Sequence, residues 1–122
     1  GMFTELEVTR GLPPALLHKY FRPLQGKWSI SQDCRRLVEF RPLNLNATWP
    51  MMPPCDVVLV RNVMIYFDIP TRAALVERMR RVLRPDGALF LGGAETLIGI
   101  DTGYERLGGS GCSYYRPKQR TN

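Results

Sequence analysis

Polar side chains follow two short apolar runs of the sequence, and their types suit contact with a flat, hydrogen-bonding ligand. Asn44 and Leu45 follow one run, and Arg61 and Asn62 follow the next. In open parallel sheets, ligands lie beyond the carboxyl ends of the strands because loops and helix N-termini converge there. An amide and a backbone edge from each loop could therefore face one planar ligand, and this arrangement suits an adenine ring.

These residue types also have ordinary structural interpretations. Asn44 could close an Asx turn in a polar loop. Tyr66 could be a core aromatic residue whose hydroxyl group reaches the backbone. Taken alone, the two residues favour these structural roles. His18, the single histidine, is expected to lie on the surface or in the packing of a helix rather than to act as a catalyst.

The apolar pattern predicts the elements of the first half. Residues 13–21 are predicted to form a short amphipathic helix that opens on two prolines. Ser31 is predicted to cap a following turn, and residues 37–40 to form a short strand. Residues 43–54 are rich in Asn and Pro and are expected to form a loop. The apolar run at residues 56–60 is typical of a strand that is buried on both faces of a parallel sheet.

The second half predicts a strand–helix–strand unit. Asp68 and Pro70 mark the start of a crossover helix whose apolar residues recur at helical spacing and leave its arginines facing solvent. Residues 84–87 are predicted to turn the chain, and residues 88–92 to form a second buried strand parallel to the first. The connection is expected to be right-handed.

The final segment predicts an antiparallel hairpin, with strands at residues 104–107 and 112–116 and a glycine-rich turn at residues 108–111. The fold class is therefore α/β, with parallel strands, helices between them and a terminal antiparallel hairpin. This arrangement corresponds to half of a doubly wound domain.

Four short segments carry a resemblance to a known family. They are Asn44-Leu45, residues 61–67 (RNVMIYF), residues 85–87 (PDG) and residues 92–95 (GGAE). Their types, order and spacing resemble the CheR family of chemoreceptor methyltransferases, and residues 5–13 also look like a segment found in many members. The RNVMIYF run is a specific signal, whereas the N-L pair or the P-D-G turn alone would be weak. The resemblance covers nearly the whole chain.

The resemblance implies a function and a set of site residues. It implies the C-terminal half of a Rossmann-like class I methyltransferase domain that uses S-adenosylmethionine (SAM) to methylate glutamates of bacterial chemoreceptors. It further implies that Asn44, Leu45, Arg61 and Asn62 contact the adenosine part of SAM. Tyr66 is expected near the methyl-transfer centre. Methyl transfer needs no covalent enzyme intermediate, so positioning and electrostatics are the expected contribution of the protein.

The sequence departs from the family pattern in two places. Many members have G-H-S-E where this chain has GGAE at residues 92–95, which we interpret as a subtype. The family's glycine-rich loop, its ribose-binding acidic residue and its helical N-terminal domain have no counterpart in these residues. We therefore expect residues 1–122 to form a single partial domain that binds SAM weakly or not at all and is inactive alone.

Composition limits the remaining function classes. The 122 residues include 17 Lys and Arg against 11 Asp and Glu, for a net charge of +6, and permit one modest core. Many basic residues fall on one predicted helix without interleaved aromatic residues, so nucleic-acid binding is not expected. The three cysteines are widely spaced and suggest neither a disulfide framework nor a metal site. No signal peptide or membrane span is evident, and a cytoplasmic protein is expected. We interpret Gly1, ahead of Met2, as a remnant of tag removal.

Two alternatives remain beside the enzymatic hypothesis. One is a non-catalytic interaction module or remnant of such an enzyme, and the other is a basic nucleic-acid-binding domain. For assembly, the strand at residues 56–60 is expected to pair with the strand at residues 88–92 and to leave its other edge open. We predict a homodimer through exposed strand edges; in a monomer, residues 37–40 would have to fill the gap.

Overall fold

The computed structural model describes residues 1–109 and 111–119. These residues form two compact units, Gly1–Pro42 and Leu43 onward. Among the described residues, no helix combines the length and the apolar character that crossing a bilayer requires.

The first unit is a small antiparallel sheet with short helices. Its elements are β1 (Met2–Phe3), α1 (Glu5–Thr9), α2 (Pro14–Tyr20), β2 (Phe21–Leu24), β3 (Lys27–Ile30) and α3 (Gln32–Arg35). The strand order is β1-β3-β2. Val8 and Phe21 are buried, and the Phe3 ring packs edge-on against the Phe21 ring at a centroid distance of 5.6 Å. The predicted helix at residues 13–21 and the Ser31 cap are confirmed.

The hairpin of β2 and β3 was not predicted from the sequence. Gln25 and Gly26 form its two-residue turn, with φ angles of +49° and +72°. Positive φ at both turn residues matches the right-handed twist of the flanking strands. Pro23 lies inside β2, which is possible because β2 is an edge strand and needs fewer backbone donors.

The predicted strand at residues 37–40 is wrong. These residues follow α3 without regular structure, and Leu37 and Phe40 are 87% and 92% exposed. A strand needs a neighbour to pair its backbone groups, and no described strand offers these residues one. Residues 43–54 form an irregular loop, as predicted.

The second unit contains the strand–helix–strand core. Its elements are β4 (Cys55–Val60), a 3-10 turn (Met64–Tyr66), α4 (Ile69–Val82), β5 (Leu83–Leu91), β6 (Tyr104–Gly109) and β7 (Cys112–Pro117). The strand order is β4-β5-β7-β6, with β4 and β5 parallel and the other pairs antiparallel. The mixed sheet, the crossover helix and the terminal hairpin confirm the predicted α/β class.

Two details of the parallel pair differ from the prediction. Residues 84–87 belong to β5, which begins directly after α4 at Leu83. The register moves from Cys55 opposite Leu83 to Val57 opposite Ala88, so residues 84–87 form a bulge instead of a separate turn. The predicted burial of β4 on both faces is also wrong, because β4 is an edge strand of the described sheet and Leu59 is 69% exposed.

α4 packs its apolar side against the sheet. The Asp68 carboxylate accepts a hydrogen bond from the Thr71 N–H at 2.9 Å and caps the helix, as predicted. The buried core of the unit consists of Met64, Leu75, Val76, Met79, Leu83, Leu89, Leu97, Tyr104 and Tyr115. The β6–β7 hairpin completes the four-stranded sheet. Its predicted turn at residues 108–111 includes Ser110, which lies outside the described residues.

Candidate functional site

The carboxyl ends of the two parallel strands meet at one edge of the second unit. Val60, the last residue of β4, pairs with Leu91, the last residue of β5. The loops that follow, at residues 61–64 and 92–95, therefore lie side by side. This is the edge at which ligands bind in open α/β sheets.

The Glu95 carboxylate joins these two loops. Its Oε2 accepts hydrogen bonds from the backbone N–H of Asn62 at 2.9 Å and of Gly92 at 2.8 Å. Its Oε1 accepts from the backbone N–H of Val63 at 3.0 Å and of Met64 at 2.8 Å. Four backbone donors thus surround one carboxylate, and hydrogen bonds to a charged group are stronger than neutral ones.

The same contacts determine the protonation of Glu95. Partial burial disfavours its charged form, but donation from Gly92, Asn62, Met64 and Val63 outweighs this effect and lowers the pKa of the carboxyl below its ordinary value. Glu95 is therefore a carboxylate at neutral pH and acts as an acceptor only.

The backbone around Glu95 has an unusual geometry. Asn62 has a φ angle of +57°, in the left-handed region that Asn tolerates better than most residues. A Cβ atom on Gly92 would lie 2.5 Å from the Asn62 Oδ1 and 2.7 Å from a carboxylate oxygen of Glu95. Only glycine fits at position 92 while the two loops remain this close.

Arg61 lines a cavity of about 720 Å³ beside these loops. The cavity is also lined by Leu59, Phe90, Thr96, Arg106 and residues 91–95. A ligand site usually combines apolar surface with a few polar groups in a volume of about 300–1,000 Å³, and this cavity has both.

Tyr66 lies in the 3-10 turn that follows. The Met64 side chain is 1% exposed and anchors the turn in the core, whereas Tyr66 is 80% exposed. The core-aromatic interpretation of Tyr66 is therefore wrong. The Arg72 Nε donates to the Phe67 carbonyl at 2.7 Å and links α4 to the end of this turn.

Asn44 and Leu45 lie in a different setting. The Asn44 Oδ1 accepts from the Asn46 N–H at 3.0 Å, which forms an Asx turn, and Asn44 is exposed. Leu45 is partly buried against the core, and its carbonyl accepts from the Arg78 guanidinium at 2.9 Å. Leu45 lines an apolar groove of about 290 Å³ beside Val58 and Val60 of β4.

The structure thus brings the predicted residues together only in part. Arg61, Asn62 and Tyr66 belong to one continuous segment at the ends of the parallel strands. Leu45 lines the groove beside β4, whereas Arg61 lines the larger cavity, so these two residues do not line the same cavity. The premise that Asn44 directly follows a strand is wrong, because residues 37–40 are not a strand.

Three charged residues near the site were not assigned to it from the sequence. Glu95 was noted only as part of the GGAE segment, and Arg72 and Arg78 were expected to face solvent. Both arginines are instead partly buried and donate to backbone carbonyls. Glu95 could have been recognised because it lies in the loop that follows β5, and the end of β5 pairs with the end of β4. The arginines gave no signal that separates them from Arg81, which is exposed.

The sequence matches a known family along most of its length. The family described as "CheR methyltransferase, SAM binding domain" matches residues 1–110. This match includes the 61–64 and 92–95 segments as well as Asn44 and Leu45.

Individual relatives agree with this match. The chain is 34% identical to chemotaxis protein methyltransferase Cher2 of Pseudomonas putida over 119 residues, which cover 97% of the chain and 43% of the relative. It is 41% identical over 98 residues to chemotaxis protein methyltransferase 2 of Pseudomonas aeruginosa, covering 76% of the chain and 35% of the relative. It is 37% identical over 100 residues to chemotaxis protein methyltransferase of Escherichia coli, covering 78% and 35%. The matched region thus spans well under half the length of these relatives.

Proposed function

The chain belongs to the CheR methyltransferase family, and from this premise we propose that it forms the adenosine-binding portion of a protein-glutamate O-methyltransferase. The proposed methyl donor is SAM, and the proposed acceptor is a glutamate carboxylate of a bacterial chemoreceptor or a related signalling protein. We also propose that residues 1–122 belong to one partial methyltransferase domain. The single observation that carries the proposal is the family match over residues 1–110, which covers the first structural unit and most of the second.

The proposed ligand contacts are those of the two polar loops. Arg61 and Asn62 lie at the joined ends of β4 and β5, where a bound adenosine would meet both backbone and side-chain groups. Leu45 would add apolar contact from the adjacent groove, and Asn44 an amide. The cavity beside Arg61 supports this assignment, because it combines a guanidinium group with apolar surface.

SAM, when bound, supplies a methyl group that is activated for displacement by a carboxylate. The protein's task is then to hold the donor and the acceptor in line and to exclude competing water. We propose that Tyr66 lies near the reacting atoms. Its 80% exposure leaves the hydroxyl group accessible to a ligand.

The first experiment is calorimetric titration of the 122-residue chain with SAM, with GTP as a control for general nucleotide binding. We expect SAM affinity on the order of 1,000-fold weaker than micromolar, because several charge-assisted contacts of about 1.5–3 kcal/mol each come from outside these residues. Micromolar SAM binding would contradict the partial-site proposal. Equal and weak responses to SAM and GTP would contradict a specific adenosyl site.

The second experiment concerns Tyr66 in a complete methyltransferase that carries these residues. Tyr66→Phe is expected to lower turnover more than SAM affinity, because the hydroxyl group is assigned to the reacting end of the site. Tyr20→Phe, in the first unit, is the matched control and is expected to change neither value. Unchanged turnover in Tyr66→Phe would remove Tyr66 from the reaction.

A non-catalytic interaction module is the second candidate function. Large apolar side chains are exposed in both units: Leu37 is 87% exposed, Phe40 92% and Leu59 69%. Exposed apolar surface of this kind often marks a binding site for another protein. No specific response to SAM, together with a stable fold, would favour this candidate.

We further propose that the chain forms a homodimer through the edge of β4. This strand is at the edge of the described sheet, and Val57 and Leu59 are exposed on it. β4 contains neither Lys nor Pro, which would discourage pairing with another strand. Sedimentation at micromolar concentration tests this: a monomer of 13.9 kDa would contradict the dimer.

A further inference from the structure

The Glu95 carboxylate lies between two loops and accepts hydrogen bonds from four backbone N–H groups. Three of the donors, at residues 62–64, follow β4, and the fourth, at Gly92, follows β5. A single side chain therefore holds the segment that contains Asn62 in register with the end of the neighbouring strand.

This arrangement has consequences for the backbone of Asn62. The left-handed φ of +57° at Asn62 is rare for a residue with a side chain and persists only where surrounding contacts hold it. The donated N–H of Asn62 is one of those contacts, at 2.9 Å from the carboxylate. The absence of a side chain at Gly92 lets the two loops approach this closely.

We propose that Glu95 is a positioning residue that fixes the 61–64 segment in the conformation that contacts adenosine, without touching the ligand through its own carboxylate. This inference rests on the proposed function, because it assigns a purpose to the ordering of Arg61 and Asn62. In the hydrogen bonds that the structure describes, both carboxylate oxygens of Glu95 accept only from backbone N–H groups. Preorganised loops bind more tightly because less ordering is needed on association.

The chemistry of the side chain predicts a graded response to substitution. Glutamine keeps one acceptor oxygen but replaces the other with an NH₂ group, which would face backbone donors and lose about half of the contacts. Alanine removes all of them. The expected order of loop ordering and of ligand affinity is Glu95, then Glu95→Gln, then Glu95→Ala.

Two control variants separate positioning from other effects. Glu105→Gln removes a carboxylate from an exposed position in β6 and controls for the loss of charge. Tyr104→Phe removes a buried hydroxyl group that lies 3.3 Å from the Val76 carbonyl and controls for general loss of stability. Neither residue contacts the 61–64 segment in the described hydrogen bonds.

The experiment uses NMR on the full 122-residue chain. Amide hydrogen exchange at residues 62–64 and 92 measures how well the loop is ordered. Titration with S-adenosylhomocysteine to millimolar concentration measures the affinity for that ligand. We expect Glu95→Gln to speed exchange at these amides and to weaken affinity about tenfold, with a larger loss in Glu95→Ala. Glu105→Gln and Tyr104→Phe are expected to keep both the slow exchange and the affinity.

Each contrary outcome has a distinct meaning. Unchanged exchange in Glu95→Gln would overturn the inference. Faster exchange with unchanged affinity would overturn the positioning role and leave the proposed function intact. An equal loss of affinity in Tyr104→Phe would also overturn it, since general stability would then explain the result. No ligand-induced shift at residues 61–64 of the unmutated chain would overturn the proposed function instead, while exchange would still report whether Glu95 holds the loop.

A measurement on the unmutated chain covers the case in which the variants fail to fold. The amide resonances of residues 62–64 and 92 are expected to titrate together as the pH falls through the lowered pKa of Glu95. The charged groups that share cavities with Glu95 are Arg61, Arg72 and Arg106. Independent titration of the four amides, or none, would overturn the inference.

Discussion

The 61–64 loop and the loop at residues 44–47 carry the same prediction, contact with adenosine, but the fold holds them differently. Three amides of the first loop donate to Glu95, and Met64 anchors that loop in the core. The second loop has an Asx turn at Asn44 and one hydrogen bond from Arg78 to the Leu45 carbonyl. The comparison teaches that two loops with similar sequence signals can differ greatly in preorganisation. The residue that holds the first loop, Glu95, lies outside that loop.

The largest effect is expected from the apolar anchors of the two loops. Met64→Ala should lower the free energy of unfolding by about 2–5 kcal/mol, because Met64 is 1% exposed and its removal leaves a cavity. Leu45→Ala should cost less than about 2 kcal/mol, since a partly buried side chain loses only part of its transfer energy. Urea unfolding of both variants checks the order. A larger loss in Leu45→Ala would reverse the comparison.

A smaller effect is expected from acid titration of Glu95. The pKa of its carboxyl is lowered in the fold, so its contribution to stability is fully present above the ordinary value of 4.5 and is lost as the pH falls below it. Relative to Glu95→Gln, the unmutated chain should be more stable by about 1–3 kcal/mol at neutral pH. This difference should shrink in acid. A difference between the unmutated chain and Glu95→Gln that is constant with pH would contradict the assignment.

The smallest effect is expected from the hydrogen bond that Arg78 donates to the second loop. Arg78→Met keeps the apolar stem of the side chain and removes the donor to the Leu45 carbonyl. We expect a loss of about 0.5–1.5 kcal/mol and faster backbone motion near Asn44. Arg81→Met is the matched control, because the Arg81 side chain is 75% exposed and pairs with Glu77. If Arg81→Met costs as much as Arg78→Met, the bond to Leu45 has no specific role.

The sequence predicted the second unit well because its signals are local. A strand is indicated by the apolar run before Arg61, and this strand, β4, pairs with β5. A helix is indicated by the Asp68 cap and by the helical spacing of the apolar residues in α4. The terminal hairpin follows from the same alternation and from glycines at its turn. These features do not depend on residues that are distant in the sequence.

The first unit was harder to predict because its strands are short and one contains a proline. Pro23 argues against a strand unless that strand is at an edge, and the sequence does not say which strands are edges. Residues 37–40 have the composition of a strand, but strand formation depends on a partner that composition cannot reveal. Three apolar residues among these four were therefore insufficient evidence.

The sequence predicted candidate site residues but not the contacts that hold them in place. The family resemblance pointed to Arg61, Asn62 and Tyr66, and these residues occur together after β4. It could not show that Glu95 directs its carboxylate toward the backbone, because the sequence separation between Glu95 and Asn62 is 33 residues. Long-range side-chain contacts to backbone amides depend on the strand register, which only the folded chain defines.

The central claim is that the 61–64 loop is the preorganised adenosine contact of this chain. The most direct test is residue-by-residue NMR mapping of S-adenosylhomocysteine binding to the unmutated 122-residue chain, with adenosine as a second probe. We expect shifts that grow through the millimolar range, are largest at Arg61 and Asn62 and are smaller at Asn44 and Leu45. Equal shifts at both loops, or shifts confined to Asn44 and Leu45, would contradict it.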